Sequence, residues 1–350
     1  MQSYDIAAWG APLQRFDRAT PVPQGDEVLV RVTAVGVCHS DLHIWEGYFD
    51  LGGGKKLTMA ERGMKLPHTL GHETVGEVAA LGPAATGLKL GQRCLVFPWI
   101  GCGSCTACGM GEEHFCLAPR FLGVHLPGGY SDHLLVPHAR YLLDVSDMEA
   151  SEAAPYACSG LTTFSALRKV GQRLVEQPTV IIGAGGLGLM CLGLLKAMKG
   201  RGAVVVDIDP AKRRAAAKAG AIAAIDGNAA DAARAIKDAA GGMVWTVIDL
   251  VGSGATASLA VECLAKGGKL IIVGLFGGDI TLSLPSIPQR AITIQGSYVG
   301  SLAELTELLA LVRREKVPAI PIRTLPLAHA HAALEDLKAG RVVGRTVLTP

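Results

Sequence analysis

The stretch Val180–Gly188, V-I-I-G-A-G-G-L-G, decides the fold, because an apolar strand pattern runs directly into G-x-G-x-x-G and then into a helix. A glycine at position 183 permits the tight turn, one at 185 lets the backbone approach a pyrophosphate, and one at 188 allows close helix–strand packing. The helix N-terminus adds a partial positive charge. The motif predicts a dinucleotide site at Gly183, Gly185, Gly186, Leu187 and Gly188.

An acidic residue stands where this motif needs one. Asp207 follows Gly188 by 19 residues and ends the next predicted strand. A carboxylate there accepts hydrogen bonds from the ribose hydroxyls and repels a 2′-phosphate, which favours NAD over NADP. Arg213 and Arg214 lie close by and leave NADP open as an alternative. Asp209 is interpreted as the cap of the following helix.

The region from Pro178 to about Gly296 alternates short β-branched runs with alanine-rich helical stretches. This alternation is typical of an α/β fold with a parallel sheet and crossover helices. It predicts a Rossmann-type doubly wound sheet of six strands: Thr179–Ile182, Ala203–Val206, Ile222–Ile225, Val244–Asp249, Lys269–Val273 and Ile292–Gln295.

The sequence pattern outside residues 178–296 is different. The first 150 residues are β-rich, with candidate strands at Glu27–Val35, Thr74–Ala80 and Gly129–Val136. A capping box at Ser301 predicts a late helix, and the tail from 341 to 350 is β-like. A length of 350 residues favours two domains. We therefore predict a first domain at 1–157, a dinucleotide domain at 158–296, and a return of 297–350 to the first domain.

Composition restricts the possible partners. A net charge of +2 with 18% charged residues argues against a nucleic-acid surface. The N-terminal ten residues lack the pattern of a signal peptide. The uncharged run 177–195 is long enough for a membrane span, but its glycines and proline favour a strand, a turn and a buried helix. We expect a cytoplasmic protein without a membrane segment.

Four of the nine cysteines cluster in the pattern C-x2-C-x2-C-x7-C. Four thiolates saturate a tetrahedral zinc ion and leave no open position, so the site would be structural. An iron–sulfur cluster is the competing interpretation, since short gaps also suit one. A disulfide framework is disfavoured in a reducing compartment. The pattern predicts zinc at Cys102, Cys105, Cys108 and Cys116.

Three separated segments carry further metal ligands: G-V-C-H-S-D at 36–41, G-H-E at 71–73 and A-C-S-G at 157–160. A catalytic zinc ion needs about three protein ligands and an open position for water or substrate. Cys38, His72 and Cys158 have suitable chemistry. Taken singly, each is more typical of a buried core residue, and only their occurrence beside the other two motifs favours a catalytic metal.

Together these motifs identify the chain as similar to the zinc-containing medium-chain alcohol dehydrogenases over its whole length. The stretches at 66–73 and 112–116 resemble tetrameric archaeal and bacterial members. The resemblance implies a GroES-like β-rich catalytic domain, NAD, and one catalytic and one structural zinc ion. It also implies that Cys38, His72 and Cys158 hold the catalytic zinc, that Glu73 enters or approaches its shell, and that Asp41 orients the histidine.

The resemblance extends to a proton relay and to the cofactor phosphates. Ser40 and His43 resemble the relay that carries the alcohol proton to solvent. His39 and Arg345 resemble groups near the phosphates. An ordinary polar surface pair remains the alternative for His43 and Arg345.

The substrate inference rests on a few side chains. Trp99 resembles an aromatic wall of the family's substrate pocket, with Phe49 and Leu275 as possible neighbours. An apolar slot favours primary, aromatic or secondary alcohols over polyols, because buried unpaired hydroxyls are costly. The segment 48–65 is longer than in many relatives, and we expect it to border the cleft.

Two alternatives stay open. One is a polyol or L-threonine-type dehydrogenase of the same superfamily. The other is a non-enzymatic, zinc-stabilised NAD(H)-binding sensor, against which the complete relay and ligand set argue. We expect a small-molecule alcohol or aldehyde partner. A homo-oligomer is also expected, with a tetramer favoured over a dimer, through the predicted edge strand at 292–295.

Overall fold

The computed structural model describes the whole chain, Met1–Pro350. Eighteen strands form the sheets: β1 Gln2–Ile6, β2 Gln14–Asp17, β3 Val28–Gly36, β4 Tyr48–Asp50, β5 Lys56–Thr58, β6 His68–Thr69, β7 Glu73–Leu81, β8 Arg93–Val96, β9 His133–Val136, β10 Leu142–Asp144, β11 Thr179–Ile182, β12 Ala203–Asp207, β13 Ala223–Asp226, β14 Val244–Asp249, β15 Leu264–Ile272, β16 Thr293–Gly296, β17 Ile322–Pro326 and β18 Arg345–Thr349.

Twelve α-helices accompany the strands: α1 His39–Glu46, α2 Thr106–Gly109, α3 Ala150–Ala153, α4 Ser159–Val170, α5 Arg173–Glu176, α6 Gly186–Ala197, α7 Pro210–Lys218, α8 Ala232–Ala239, α9 Gly254–Cys263, α10 Ser286–Arg290, α11 Leu302–Glu315 and α12 Ala330–Lys338. Short 3-10 turns lie at Glu113–Phe115, Ala139–Tyr141, Ala154–Ala157 and Leu327–His329. None of the helices combines the length and apolar character needed to cross a membrane.

Six strands form one parallel sheet in the order β13-β12-β11-β14-β15-β16. The predicted doubly wound sheet is confirmed, and β11 and β14 have the predicted ends. Strand β15 begins at Leu264, earlier than predicted, because Leu264 pairs with Val244 ahead of a register shift in β14. The chain direction of the crossovers reverses between β11 and β14, which opens a crevice at the carboxyl ends of these strands.

The other large sheet has seven strands, in the order β10-β8-β7-β3-β18-β17 with β9 also paired to β3. The C-terminal strand β18 pairs antiparallel with β3 through Val347 and Leu348. Strand β9 begins only at His133, because the preceding Gly129 and Tyr130 donate backbone hydrogen bonds to the turn at residues 70 and 71. The predicted β-rich part is confirmed, and the exact domain boundaries at 157 and 296 stay predictions.

Alternating residues of the parallel sheet face two different cores. Ile181 and Val205 belong to the larger apolar cluster, which also contains residues of β3, α4, α6 and α11. Val180 and Val204 belong to a smaller cluster on the opposite face. Helix α4, which begins directly after Cys158, packs against α6 and α11. The larger core therefore fixes the cysteine relative to the dinucleotide-type sheet.

Two predicted helix caps are confirmed. The Ser301 hydroxyl accepts a hydrogen bond from Glu304 N at 3.2 Å, and the Glu304 carboxylate accepts from Ser301 N at 3.0 Å, at the start of α11. The Asp209 carboxylate accepts from Ala211 N at 2.7 Å at the start of α7. Both caps satisfy backbone donors that the first helical turn leaves unpaired.

Candidate active site and zinc centres

Helix α1 begins at the first candidate metal ligand. Cys38 is its N-cap, and Cys38 N donates a 2.9 Å hydrogen bond to Asp41 Oδ2. A carboxylate at the third helical position closes the first turn in this way. The same turn therefore fixes both the cysteine and the buried acid beside it.

Cys38, His72 and Cys158 come together although 120 residues separate the two cysteines. Their ligand atoms lie within 4.8 Å of one another, and all three side chains are buried. The two sulfurs are 3.8 Å apart, close to the ~3.8 Å expected for two thiolates at about 2.3 Å from a tetrahedral zinc ion. His72 Nε2 is buried without a hydrogen-bond partner. This donor set fits the zinc ion that the sequence predicts.

A fully buried carboxylate orients the histidine. Asp41 Oδ1 lies 3.2 Å from His72 Nδ1 and accepts from Gly71 N at 3.3 Å, while Tyr130 donates its hydroxyl to Asp41 Oδ2 at 3.4 Å. Although burial opposes the charge, Asp41 and the Cys38 thiol group raise the pKa of His72 well above its ordinary value. Gly71 has a positive φ of 98°, and a side chain there would clash with Tyr130.

Glu73 lies beside the ligand group and is not a member of it. Its Oε1 accepts hydrogen bonds from Arg345 Nη2 at 2.5 Å and from Ser159 N at 3.1 Å. Oε2 is buried without a partner. Burial raises the pKa of Glu73 to about 7 against the opposing charge of Arg345. The sequence pointed to the metal shell for Glu73 and to the phosphates for Arg345, and did not foresee their pairing.

Three of the four polar residues predicted for the relay and the phosphates lie on α1. His39 is exposed, whereas Ser40 and His43 are half-buried. The rings of His39 and His43 are 5.5 Å apart. Residues three apart on a helix share a face, so Ser40 and His43 are neighbours. Burial, followed by the charge of His39, lowers the pKa of His43, which keeps its imidazole neutral near pH 7.

Aromatic rings pack beside the ligand group. Trp99 is buried, donates its indole N–H to Ala157 O at 3.0 Å, and lies 5.3 Å from the His72 ring. Its ring is also 5.3 Å from Phe121 and 6.4 Å from Tyr298. Sequence reasoning missed these two rings, since neither lies near a motif. Phe121 and Tyr298 are therefore further candidates for the predicted wall at Trp99.

The other two predicted pocket residues lie in different surroundings. Phe49 is on β4, and its ring is 5.1 Å from His43. Leu275 is 45% exposed in the loop after β15. A side chain on Gly277 in that loop would clash with Asp50. Leu275 is thus on a loop that packs against the 48–65 segment.

The glycine turn has the geometry predicted for a dinucleotide. Gly183 has a φ of 99°, and a Cβ on Gly188 would lie 2.0 Å from Gly183 O. A Cβ on Gly185 would meet nothing within 4 Å, so space is open where the pyrophosphate would approach. One on Gly186 would lie 2.7 Å from Gly344 O. Leu187 is half-buried against the larger core.

The acid at the end of β12 contacts the same turn. Asp207 Oδ2 accepts from Ala184 N at 2.7 Å and Oδ1 accepts from Asp209 N at 2.8 Å. Arg213 is held by Asp226 at 3.0 Å and by Asp207 O at 2.9 Å, and Arg214 is exposed. Arg213, the arginine that contacts Asp207, therefore already has Asp226 as its ion-pair partner.

The four-cysteine lobe is also assembled. The ligand sulfurs of Cys102, Cys105, Cys108 and Cys116 lie within 4.8 Å of one another. The buried Glu113 accepts hydrogen bonds from Gly101 N at 2.8 Å, from Tyr141 Oη at 2.7 Å and from Arg140 at 2.8 Å. These contacts fasten the lobe to the strand β10 region. Sequence reasoning missed Glu113, because a buried acid within a cysteine motif has no distinctive spacing.

A dinucleotide turn, a Cys-His-Cys group and a four-cysteine lobe on this pair of sheets define a class of zinc-linked dehydrogenases. Two family models match the chain: the alcohol dehydrogenase GroES-like domain over residues 24–147 and the zinc-binding dehydrogenase domain over residues 186–314. The chain belongs to the zinc-containing medium-chain alcohol dehydrogenase family.

Individual relatives support this membership. The chain is 37% identical to an NAD-dependent alcohol dehydrogenase of Sulfurisphaera tokodaii, with 100% of both chains covered. It is 36% identical to an enzyme of the same name from Saccharolobus solfataricus, again over 100% of both. The crystal structure of the alcohol dehydrogenase from Aeropyrum pernix matches with a TM-score of 0.90 at 30% identity, over 100% of both chains.

Proposed function

We propose that this protein is a zinc-dependent oxidoreductase that transfers hydride between an alcohol and NAD. The observation that carries the proposal is the position of Arg345. Its guanidinium binds Glu73 beside the Cys-His-Cys group, and Nη1 lies 3.6 Å from where a Cβ on Gly186 would stand. The metal group and the phosphate end of the glycine turn therefore share one buried side chain.

Different residues of the chain have different roles in the proposed reaction. When bound, zinc at Cys38, His72 and Cys158 would acidify the substrate hydroxyl, and NAD would accept the hydride. Ser40 and His43 receive the hydroxyl proton and pass it to solvent, since a half-buried neutral imidazole can accept it near pH 7. Asp41 holds the tautomer and orientation of His72. Trp99 excludes water from the reacting centre.

The cofactor preference rests on Asp207. Its carboxylate lies at the glycine turn and would accept the ribose hydroxyls while repelling a 2′-phosphate. Arg213, which could have compensated a phosphate, is paired with Asp226. We therefore assign NAD as the preferred cofactor, with residual use of NADP as the alternative.

We propose about two zinc ions per chain, one in each cysteine-containing group, because each group supplies a suitable ligand set. The four-cysteine ion would be structural, since no position is open. None of the nine cysteines is in a disulfide, which fits a reducing compartment such as the cytoplasm.

Assembly is proposed through β16. This strand ends the parallel sheet, and Ile294 on it is 37% exposed. An unpaired edge can add the same strand of a second copy. The family resemblance favours a homotetramer over a dimer.

The aromatic wall supports alcohols with an apolar chain over polyols, because a polyol would bury hydroxyls without partners. The two relatives that match the whole chain at 36–37% identity are enzymes named NAD-dependent alcohol dehydrogenases, so the sensor hypothesis is not favoured. Primary, aromatic and secondary alcohols remain the proposed substrate classes.

NADH formation tests the function directly. We would follow absorbance with NAD or NADP against a panel of primary, aromatic and secondary alcohols, polyols and L-threonine, with zinc content measured on the same sample. Turnover of apolar alcohols with NAD supports the proposal. Turnover of polyols or threonine alone would select the alternative dehydrogenase, and no turnover by fully zinc-loaded protein would reject the enzyme.

A further inference from the structure

The segment Tyr48–Lys65 forms a structure of its own beside the cleft. Strands β4 and β5 pair as a hairpin, and the following loop contains Arg62. The loop is anchored, because Gly63 N donates to Ala60 O at 2.9 Å and Met64 N to Met59 O at 3.0 Å. The buried Met59 fixes its base. Arg62 is therefore held on an ordered turn.

The Arg62 guanidinium lies over the ring of Phe49. It lies 5.6 Å from the centre of the Phe49 ring, which itself lies 5.1 Å from His43. Its charge also acts on the hydroxyl of Tyr298: burial raises the pKa of Tyr298, and Arg62 opposes that rise. The Cys158 thiol group acts on the same hydroxyl in the opposite direction. The charges of both side chains therefore reach Tyr298, whose ring lies 6.4 Å from that of Trp99.

A second donor, His125, feels the charge of this cation. His125 Nδ1 is buried without a hydrogen-bond partner, and its ring is 5.3 Å from Phe121. Burial, followed by the positive charge of Arg62, lowers the pKa of His125 to about 4. At neutral pH the imidazole is therefore uncharged and can offer one N–H. Arg62 and His125 together present a cation and a neutral donor.

No carboxylate of the chain neutralises this arginine. Arg62 forms no ion pair, and its neighbour Glu61 is already engaged by Thr58, whose N and Oγ1 donate to it at 2.8 and 2.7 Å. A guanidinium beside a largely apolar wall is poorly hydrated and favours a carboxylate, which it can bind with two hydrogen bonds. Among the charges that act on Tyr298 and His125, none is a carboxylate.

We propose that Arg62, assisted by His125, is a specificity-determining residue that binds a carboxylate at the far end of the alcohol substrate. The substrates would then be hydroxycarboxylic acids whose apolar chain spans the wall formed by Trp99, Phe121 and Tyr298. The hydroxyl end is at the Cys-His-Cys group and the carboxylate end is at the 48–65 segment. This inference rests on the proposed function and refines its substrate class.

Steady-state kinetics on matched substrates tests the inference. Wild-type protein, Arg62→Ala and Arg62→Lys would be compared on ω-hydroxycarboxylates and on 1-alkanols of the same chain length. Arg62→Ala should lower kcat/KM about 10- to 100-fold for the hydroxy acids, as expected for a lost charge-assisted hydrogen bond. The 1-alkanols should keep their values, and Arg62→Lys should recover part of the loss. The exposed Lys65→Ala in the same loop is the matched control.

A binding measurement makes the result independent of turnover. Isothermal titration of the zinc-loaded protein with NADH and then with hydroxy acid or alkanol gives the two affinities. The inference predicts tighter binding of the hydroxy acid by wild type and equal affinities in Arg62→Ala. Equal affinities in wild type would overturn it, and so would a loss of NADH affinity in Arg62→Ala, which would place the arginine at the cofactor. Absent turnover on every alcohol would instead reject the proposed function.

Discussion

Replacing Asp41 by asparagine tests the contact between Asp41 and His72, the histidine that we propose binds zinc. The side chain keeps its shape and loses its charge. Three groups donate hydrogen bonds to this carboxylate, Cys38 N at 2.9 Å, Gly71 N at 3.3 Å and the Tyr130 hydroxyl at 3.4 Å, and His72 Nδ1 lies 3.2 Å from it. An amide offers only one oxygen to them, so at least one buried donor must face an N–H₂ group.

The magnitude follows from the two possible amide orientations. If the oxygen faces His72 and Gly71, the Cys38 N–H loses its acceptor, while the Tyr130 hydroxyl can rotate to accept. If the oxygen instead faces Cys38 and Tyr130, the N–H groups of His72 and Gly71 both lose their acceptor. The first orientation costs about 1–3 kcal/mol for one buried unsatisfied donor. In either orientation His72 loses a charged partner, and loss of such a partner weakens metal binding about 10- to 100-fold.

Competition with a chromophoric zinc chelator measures the effect on the more weakly held ion. Asp41→Asn should release zinc at a roughly 10- to 100-fold lower chelator concentration and lose turnover in parallel. Tyr130→Phe is the matched control, since it removes only a long contact worth little. If Asp41→Asn holds both ions as tightly as wild type, the reasoning about His72 is refuted.

Three further predictions concern the cofactor and the relay. Gly185→Ala should fold normally and bind NADH at least about tenfold more weakly, because its Cβ enters open space needed by the pyrophosphate. Gly193→Ala, within the helix α6 that Gly185 caps, is the control. NADH affinities that fluorescence titration shows to be unchanged in both variants would contradict the site. Asp207→Ser should shift the ratio of kcat/KM for NAD over NADP toward NADP by about 10- to 100-fold, and an unchanged ratio would remove Asp207 from the ribose site. Burial lowers the pKa of His43 below 6.5, so its imidazole stays neutral, and can accept a proton, at every pH above that lowered pKa. Alcohol oxidation should therefore fall only at more acidic pH. His43→Ala should abolish this acidic fall and slow oxidation about 10- to 100-fold, whereas an unchanged pH profile would exclude the relay role.

Local patterns predicted the parallel sheet well. Short apolar β-branched runs bounded by turn residues, such as those of β11 and β14, are typical of buried strands, and Gly183 and Gly188 have steric requirements that other residues cannot meet. The four cysteines of the lobe are close in sequence, so their spacing alone predicted a metal. These features are encoded within short windows of the chain.

Long-range contacts could not be predicted in the same way. Glu73 and Arg345 are 272 residues apart, and only the pairing of β18 with β3 brings the arginine to the ligand group. Their ion pair therefore appears in the structure and not in any motif. The hydroxyl of Tyr130 reaches Asp41 across 89 residues for a similar reason.

The substrate wall shows the same limit. The family resemblance names Trp99 as a candidate, whereas Phe121 and Tyr298 have no motif of their own and reach Trp99 only through tertiary packing. Arg62 lies in the 48–65 segment that the sequence marked as bordering the cleft, but the direction of its guanidinium depends on the hairpin of β4 and β5.

The central claim is that Cys38, His72 and Cys158 hold a zinc ion at which an alcohol is oxidised by NAD. The most direct test measures zinc per chain and NADH formation for Cys158→Ser beside Cys191→Ser, a buried cysteine outside both metal groups. We predict that Cys158→Ser folds, binds NADH, retains about one zinc ion per chain from the lobe and loses nearly all turnover, while Cys191→Ser retains about two and stays active. Near-normal turnover of Cys158→Ser, with its zinc content verified, would contradict the account.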